Sequence, residues 1–239
     1  MIKFFRKIRY KLMSENKTGK YLKYAIGEIV LVIIGIVFAL QINNWNENRK
    51  TQIDLESSLY AMIEELKENA NYIKGQNKII QSQIEGLNRI FDKTATEKDL
   101  KTILKYFGPD TNSRPFANVF NSLKEEKKLR LIENKELIRK INDFYEYTLP
   151  NMVEFTKWHE GFVGNNIDPY ILENIPIINN NSETDIKTVN RLLEEVKFIN
   201  ILRYQKTLYT GYQGGCNSIT QKAEALITMI DNYLNNQKQ

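Results

Sequence analysis

Histidine and cysteine are nearly missing from this chain, which holds one of each, His159 and Cys216, in 239 residues. A single cysteine excludes an intramolecular disulfide framework and a thiolate metal cluster. A single histidine leaves too few nitrogen ligands for zinc, whose sites recruit several His or Cys. The sequence contains no glycine-rich phosphate loop, no G-x-S-x-G and no H-E-x-x-H. Period-two alternation is missing too, so no stretch demands a β-strand. Acids are scarce at the start. In the first 23 positions Glu15 alone opposes Lys3, Arg6, Lys7, Arg9, Lys11, Lys17, Lys20 and Lys23, a net charge of +7. The whole chain carries +5, so everything from Tyr24 onwards sums to −2, and the basic pI belongs to the flank. A basic groove is therefore not implied, and no nucleic-acid partner is expected.

What the sequence does have is a long hydrophobic run. Ile29 to Leu40 carries no polar side chain, and the apolar character reaches back to Ala25, interrupted by Glu28, and forward to Ile42. Tyr24 to Trp45 as a helix rises about 32 Å, which matches a hydrocarbon core of about 30 Å. Tyr21 and Tyr24 at one end and Trp45 at the other suit the two interfacial belts. The expectation is one transmembrane helix over 24–45, with membrane lipid as its first partner. A cleaved signal peptide is the competing reading, with Val37-Phe-Ala39 as its small-residue site. The long basic flank, the acid inside the segment and a helical pattern continuing past Trp45 favour a retained anchor. Basic flanks stay in the cytoplasm, so residues 1–23 are expected inside and 46–239 across the membrane. Within the flank, Phe4, Phe5, Ile8, Leu12 and Met13 recur between cations, the pattern of a helix lying on an anionic leaflet. Gly27, Leu31, Gly35 and Ala39 form a small-residue face spaced by four, beside which Glu28 would set the register of a second spanning helix.

From Asn46 the pattern predicts a long amphipathic helix. Leu59, Leu66, Ile73, Ile80 and Leu87 fall every seven residues. Its second seam turns polar at Asn69, Gln76 and Gln83, which weakens a pure coiled coil and favours packing inside a bundle. Thr94-Ala-Thr-Glu97 reads as a capping box opening a short helix to Tyr106, followed by a polar loop from Gly108 to Pro115. A helix carrying Val119, Phe120 and Leu123 comes next. Asn134 caps another with Leu137, Ile138, Ile141, Phe144 and Tyr145 on its apolar face, and Pro150 kinks or restarts it. Gly164 to Asn181 reads as the longest irregular segment. Ser182 to Asp185 then starts the C-terminal helices, whose stripe runs from Val189 to Tyr233. The expected fold is all-α: one N-terminal transmembrane helix, then an extracytoplasmic helical bundle with a long membrane-proximal helix.

Candidate chemistry is thin. His159 sits on an apolar stripe beside Trp158 and reads as a hydrogen-bonded structural residue. Nothing local activates Cys216 as a nucleophile. Glu64-Glu65 and Glu194-Glu195 are adjacent pairs whose side chains splay on a helix, so they read as solvated faces. The thirteen tyrosines mostly occupy core or seam positions. No catalytic, cofactor-binding or metal site is expected, and the chain is not expected to be an enzyme.

The first fifty residues carry a resemblance. MIKFFRKIRYKLMSENK, then Gly27-Glu28-Ile29 at the membrane entry and Ala39 to Asn46 at the exit, resemble the N-terminus of a family of uncharacterised bacterial single-span membrane proteins. Leu129 to Leu137, followed by Phe144-Tyr145, is similar to a recurrent helix entry in that family. The resemblance implies topology, in a bacterial cytoplasmic membrane with the C-terminal domain in the periplasm, and it implies no activity. The first reading is a protein that works by contact with another membrane or periplasmic protein or a second copy, or by ligand sensing; the alternative is a structural subunit of a membrane complex, and an enzyme comes third.

Overall fold

The computed structural model describes residues 6, 10, 18–108, 111–176 and 184–237. Among these residues every regular element is helical and none is a strand. The chain divides into two compact units, Met1–Glu56 and Ser57–Gln239. The first helix, α1, covers Thr18–Phe91.

In the first unit the apolar run is helix exposed on all sides. Its most apolar window has a mean hydropathy of 2.5 with no part buried. A helix that is hydrophobic all round has no polar face to present to water, so by length and composition it is compatible with a single-pass membrane anchor. Arg6 and Lys23 are exposed, whereas Lys3, Lys7, Arg9 and Lys11 lie outside the described residues, as does most of the expected surface helix.

The second unit has its own core. Leu59, Leu66, Ile73, Ile80 and Leu87 are all fully buried, as their spacing requires. Short elements follow: α2 (Glu97–Lys101), a 3₁₀ turn (Ile103–Tyr106), α3 (Asn118–Glu125) and a second 3₁₀ turn (Lys128–Leu131). The next run is helical from Lys135 to Asn174, but in five pieces. They are α4 (Lys135–Asn142), a π turn (Asp143–Thr148), α5 (Leu149–Phe162), a second π turn (Val163–Ile167) and α6 (Asp168–Asn174). Then come α7 (Ile186–Leu192) and the long α8 (Val196–Asn236). Lys74 bonds Glu224, Asn77 bonds Asn217 and Gln213 bonds Gln81, so α8 runs antiparallel to α1. Along α8, Leu202, Tyr209, Tyr212, Cys216, Ile219, Ala223, Leu226 and Ile230 are buried at helical spacing.

Asn69, from the polar seam of α1, finds its partners inside the unit. The Asn69 amide donates to the Phe116 carbonyl and accepts from the Phe116 amide, both at 2.7 Å. Glu65 is buried and accepts from the Val119 amide at 2.8 Å. Ala117 offers α3 no side-chain cap, so a carboxylate from α1 satisfies its first turn, where negative charge is favoured. Only Glu64, which binds Lys67, is solvated in that pair.

Two local expectations are corrected, the capping box and the irregular segment, and two hold. The capping box of α2 is Thr96 with Asp99, two residues beyond Thr94 and Glu97. Thr94 is used instead to close α1, its amide donating to the Arg89 carbonyl at 2.9 Å. Asn134 caps α4 as read, accepting from the Leu137 amide. Pro150 restarts the helix through the π turn just before it. Lacking an N–H, proline cannot continue the α ladder, and a wider turn accommodates the slip. Gly164 to Asn174 is helical, with Pro169 in the first turn of α6, where its missing donor costs nothing. Residues 177–183, the rest of the expected irregular segment, lie outside the described residues.

Candidate functional site

The anchor residues singled out from the sequence all lie on α1. A Cβ added at Gly27 or at Gly35 would meet nothing within 4 Å, so this face is open. Glu28 is half-buried and Ala39 exposed. Trp45 is exposed, with the Arg49 guanidinium 5.9 Å from its ring centroid. Tyr24 and Lys20 are in the same helix.

His159 is fully buried on α5 and held at both nitrogens. Its Nε2 lies 2.7 Å from Gln205 Oε1 and its Nδ1 lies 2.7 Å from Thr111 Oγ1. The Gln205 amide nitrogen donates to the carbonyls of Tyr106 and Gly108, each at 3.2 Å, which leaves Oε1 as the acceptor. The network therefore assigns the proton to His159 Nε2 and makes Nδ1 the acceptor from Thr111. On α8, Gln205, Tyr209 and Tyr212 form one stripe, and each donates to a carbonyl of the 106–112 segment. Backbone carbonyls away from water need partners, and this stripe supplies them to Tyr106, Gly108 and Asn112. The arrangement clamps a loop and leaves the imidazole no free nitrogen for substrate. Its sequence signal was Gln205, a polar residue in the apolar register between Leu202 and Leu208.

Cys216 is fully buried, and that burial pushes its thiol up to about 12. The ionised nucleophilic form is thereby suppressed. Burial also raises the phenol of Tyr145 well above its ordinary value, with Glu65 adding to the effect. No group of three or more His, Cys, Asp or Glu that could hold a metal occurs among the described residues.

Two clefts open beside α8, and each is lined by one of the two π turns. The larger, about 850 Å³, lies between the second π turn and the start of α8, with Phe162, Tyr170, Val196 and Tyr204 among its walls. The smaller, about 390 Å³, lies between the first π turn and the middle of α8. A run of rings joins them: Tyr212 to Phe155 at 6.0 Å, Phe155 to Trp158 at 6.0 Å, Trp158 to Phe162 at 6.0 Å and Phe162 to Tyr204 at 4.8 Å between centroids. Trp158 remains 50% exposed on this run. The π turns occur where both clefts need the helix to widen, and such turns recur at functional sites. Sequence periodicity did not reveal them, because a single widened turn is too short a signal to stand out within a long apolar stripe.

Residues 28–122 match the model of a family of unknown function (DUF6090). The match takes in most of the hydrophobic run, the rest of α1, the clamped loop and the first turns of α3. It is consistent with an uncharacterised domain family, and it ends before either cleft begins. No curated protein and no solved structure matches the chain.

Proposed function

We propose that this is a single-pass protein of the bacterial cytoplasmic membrane, with its basic flank in the cytoplasm and its helical unit outside. It acts there through contact with another protein or by sensing a ligand, without chemistry of its own. The observation that carries this reading is the pair of clefts on π turns, with Trp158 exposed on the aromatic run between them. Aromatic side chains are the preferred anchors of contact surfaces, and open clefts of this size take small molecules. The basic flank of +7 supports the orientation.

A second reading, a structural subunit of a membrane complex, is favoured by the open face at Gly27 and Gly35. A detergent pull-down through a tag at Gln239 separates the two. Stoichiometric partners retained when Trp158 is changed to Ala but lost with Gly35→Leu identify a complex subunit. Loss with Trp158→Ala identifies contact through the aromatic run. Orientation is tested with a cysteine at Glu160, which is exposed, in a Cys216→Ala background. It is expected to react with a membrane-impermeant maleimide in spheroplasts, and labelling only after lysis would overturn the orientation.

A further inference from the structure

The smaller cleft carries a more specific chemistry than the domain as a whole. Its polar end is built by the first π turn. Asp143 and Thr148 are five residues apart, which on an α-helix would put them about 140° apart around the axis. The π turn, with its i to i+5 bonding, brings both to the same side. There they converge on Lys222 of α8, whose Nζ lies 2.8 Å from Thr148 Oγ1 and 3.3 Å from Asp143 Oδ2. Asn151 and Ser218 add neutral hydrogen-bonding groups to the lining. Met152, Phe155 and Ile219 supply the apolar part of the lining. On α8, Gly211 leaves open space and Gly215 makes room for the Met152 side chain. A Cβ at Gly211 would meet nothing within 4 Å, and one at Gly215 would stand 2.9 Å from Met152 Sδ.

We propose that this cleft binds a small zwitterion of the amino-acid class with an apolar side chain. The lining offers one ammonium, on Lys222, and one carboxylate, on Asp143. Their mutual contact is long, and both are about half exposed, a geometry that contributes little to folding. A ligand carrying both charges replaces that weak pair with two complementary contacts and leaves neither group uncompensated. A ligand with a single charge strands one of them. The apolar lining residues take the side chain, and the cleft, at about 390 Å³, lies at the lower end of the range of about 300–1,000 Å³ typical of small-molecule sites. Gly211, beside open space, lets the ligand backbone approach the helix closely.

This inference gives the ligand-sensing reading its site. Binding is measured on the purified full chain in detergent, whatever its orientation in the membrane, so failure here and failure of the topology are distinguishable. The probes are leucine and phenylalanine, with 4-methylpentanoate and 3-methylbutylamine as analogues of leucine that lack one charge each. Calorimetric titration up to about 10 mM is expected to show saturable binding of the zwitterions and weaker binding of both analogues. Lys222→Met and Asp143→Asn are each expected to weaken leucine binding about tenfold or more, the loss expected for a charge-assisted hydrogen bond. Gly211→Leu fills open space and is expected to abolish binding with the thermal midpoint retained. If Gly211→Leu fails to fold, the two charge variants still decide the matter. The proposal is overturned if no zwitterion saturates, if the analogues bind as tightly as leucine, or if both charge variants bind like the wild type.

Discussion

Gly86 and Tyr106 are in contact where a side chain at position 86 would stand: a Cβ there would lie 2.0 Å from the tyrosine hydroxyl and 2.6 Å from Cζ. Tyr106 is fully buried, so its ring cannot swing aside into water. Alanine at 86 gains about 1 kcal/mol of helix propensity but forces an overpacking cost of about 1–3 kcal/mol or more. Gly86→Ala is therefore expected to lower the thermal midpoint of the full chain in detergent. Tyr106→Phe removes the nearest atom and a buried hydroxyl without a hydrogen-bond partner. Alone it is expected to be neutral or stabilising, and in the double variant to restore part of the loss. An unchanged midpoint for Gly86→Ala would mean that the ring is not held where this contact requires.

Cys216 offers a second test of the core. With the thiol buried and its pKa pushed up to about 12, the native protein is expected to leave a thiol reagent unreacted at pH 8. Stoichiometric reaction is expected only after unfolding in guanidinium. Rapid reaction of the folded chain would contradict the packing of α8. Because the site is fully buried, alanine, which adds no new polar group, is the replacement for labelling work.

The Asp99 carboxylate links acid stability to the end of α1. Its bond from Arg89, then those from the Thr96 amide and hydroxyl, hold its pKa well below the usual carboxylate range. A depressed folded pKa means that the unfolded chain takes up the proton first. The contribution is fully present above the unfolded value of about 3.9 and is lost as pH falls through the lower folded value. Asp99→Asn is expected to cost about 1 kcal/mol near neutrality, the usual worth of a cap. The gap between variant and wild type should narrow at about pH 3. Urea midpoints at the two pH values measure this, and a gap that is constant or widens on acidification would show that Asp99 is not the linked group.

Legibility in the sequence followed the length scale of each signal. The seven-residue spacing from Leu59 to Leu87 marks a buried face because it persists for four turns or more, and every one of those residues is buried. Asn134 reads correctly as a cap because its partner, the Leu137 amide, is three residues away. Glu65 does not read correctly, since its partner, Val119, lies 54 residues off and on another element. The clefts fail for a third reason. They depend on helical turns widened at Asp143–Thr148 and Val163–Ile167, and periodicity averages over a slip of one residue. Pro150 was the one local sign of the first slip. The second has none comparable, because Pro169 follows it and is equally at home starting an ordinary helix.

Glu28 is the ionisable residue inside the expected span, and an acid in that setting is a functional hypothesis by default. A charged group at the bilayer centre costs about 2.5–3.5 kcal/mol on insertion scales, falling toward the interface. Glu28 lies one turn from Tyr24 in α1, toward the end nearest the basic flank. One role is therefore to fix the depth of the helix. The other is a polar contact across a helix pair, with Gly27, Leu31, Gly35 and Ala39 as the close-approach face. Added Cβ atoms at Gly27 and Gly35 meet nothing, so a partner backbone can approach there, as it does at other small-residue faces spaced by four. If the pair forms, Gly35→Leu blocks the approach and Glu28→Leu removes the polar contact. Each is expected to reduce self-association or partner association in a transmembrane reporter assay, with membrane insertion unchanged. Wild-type association in both variants would reduce Glu28 to a depth anchor and leave this face to lipid.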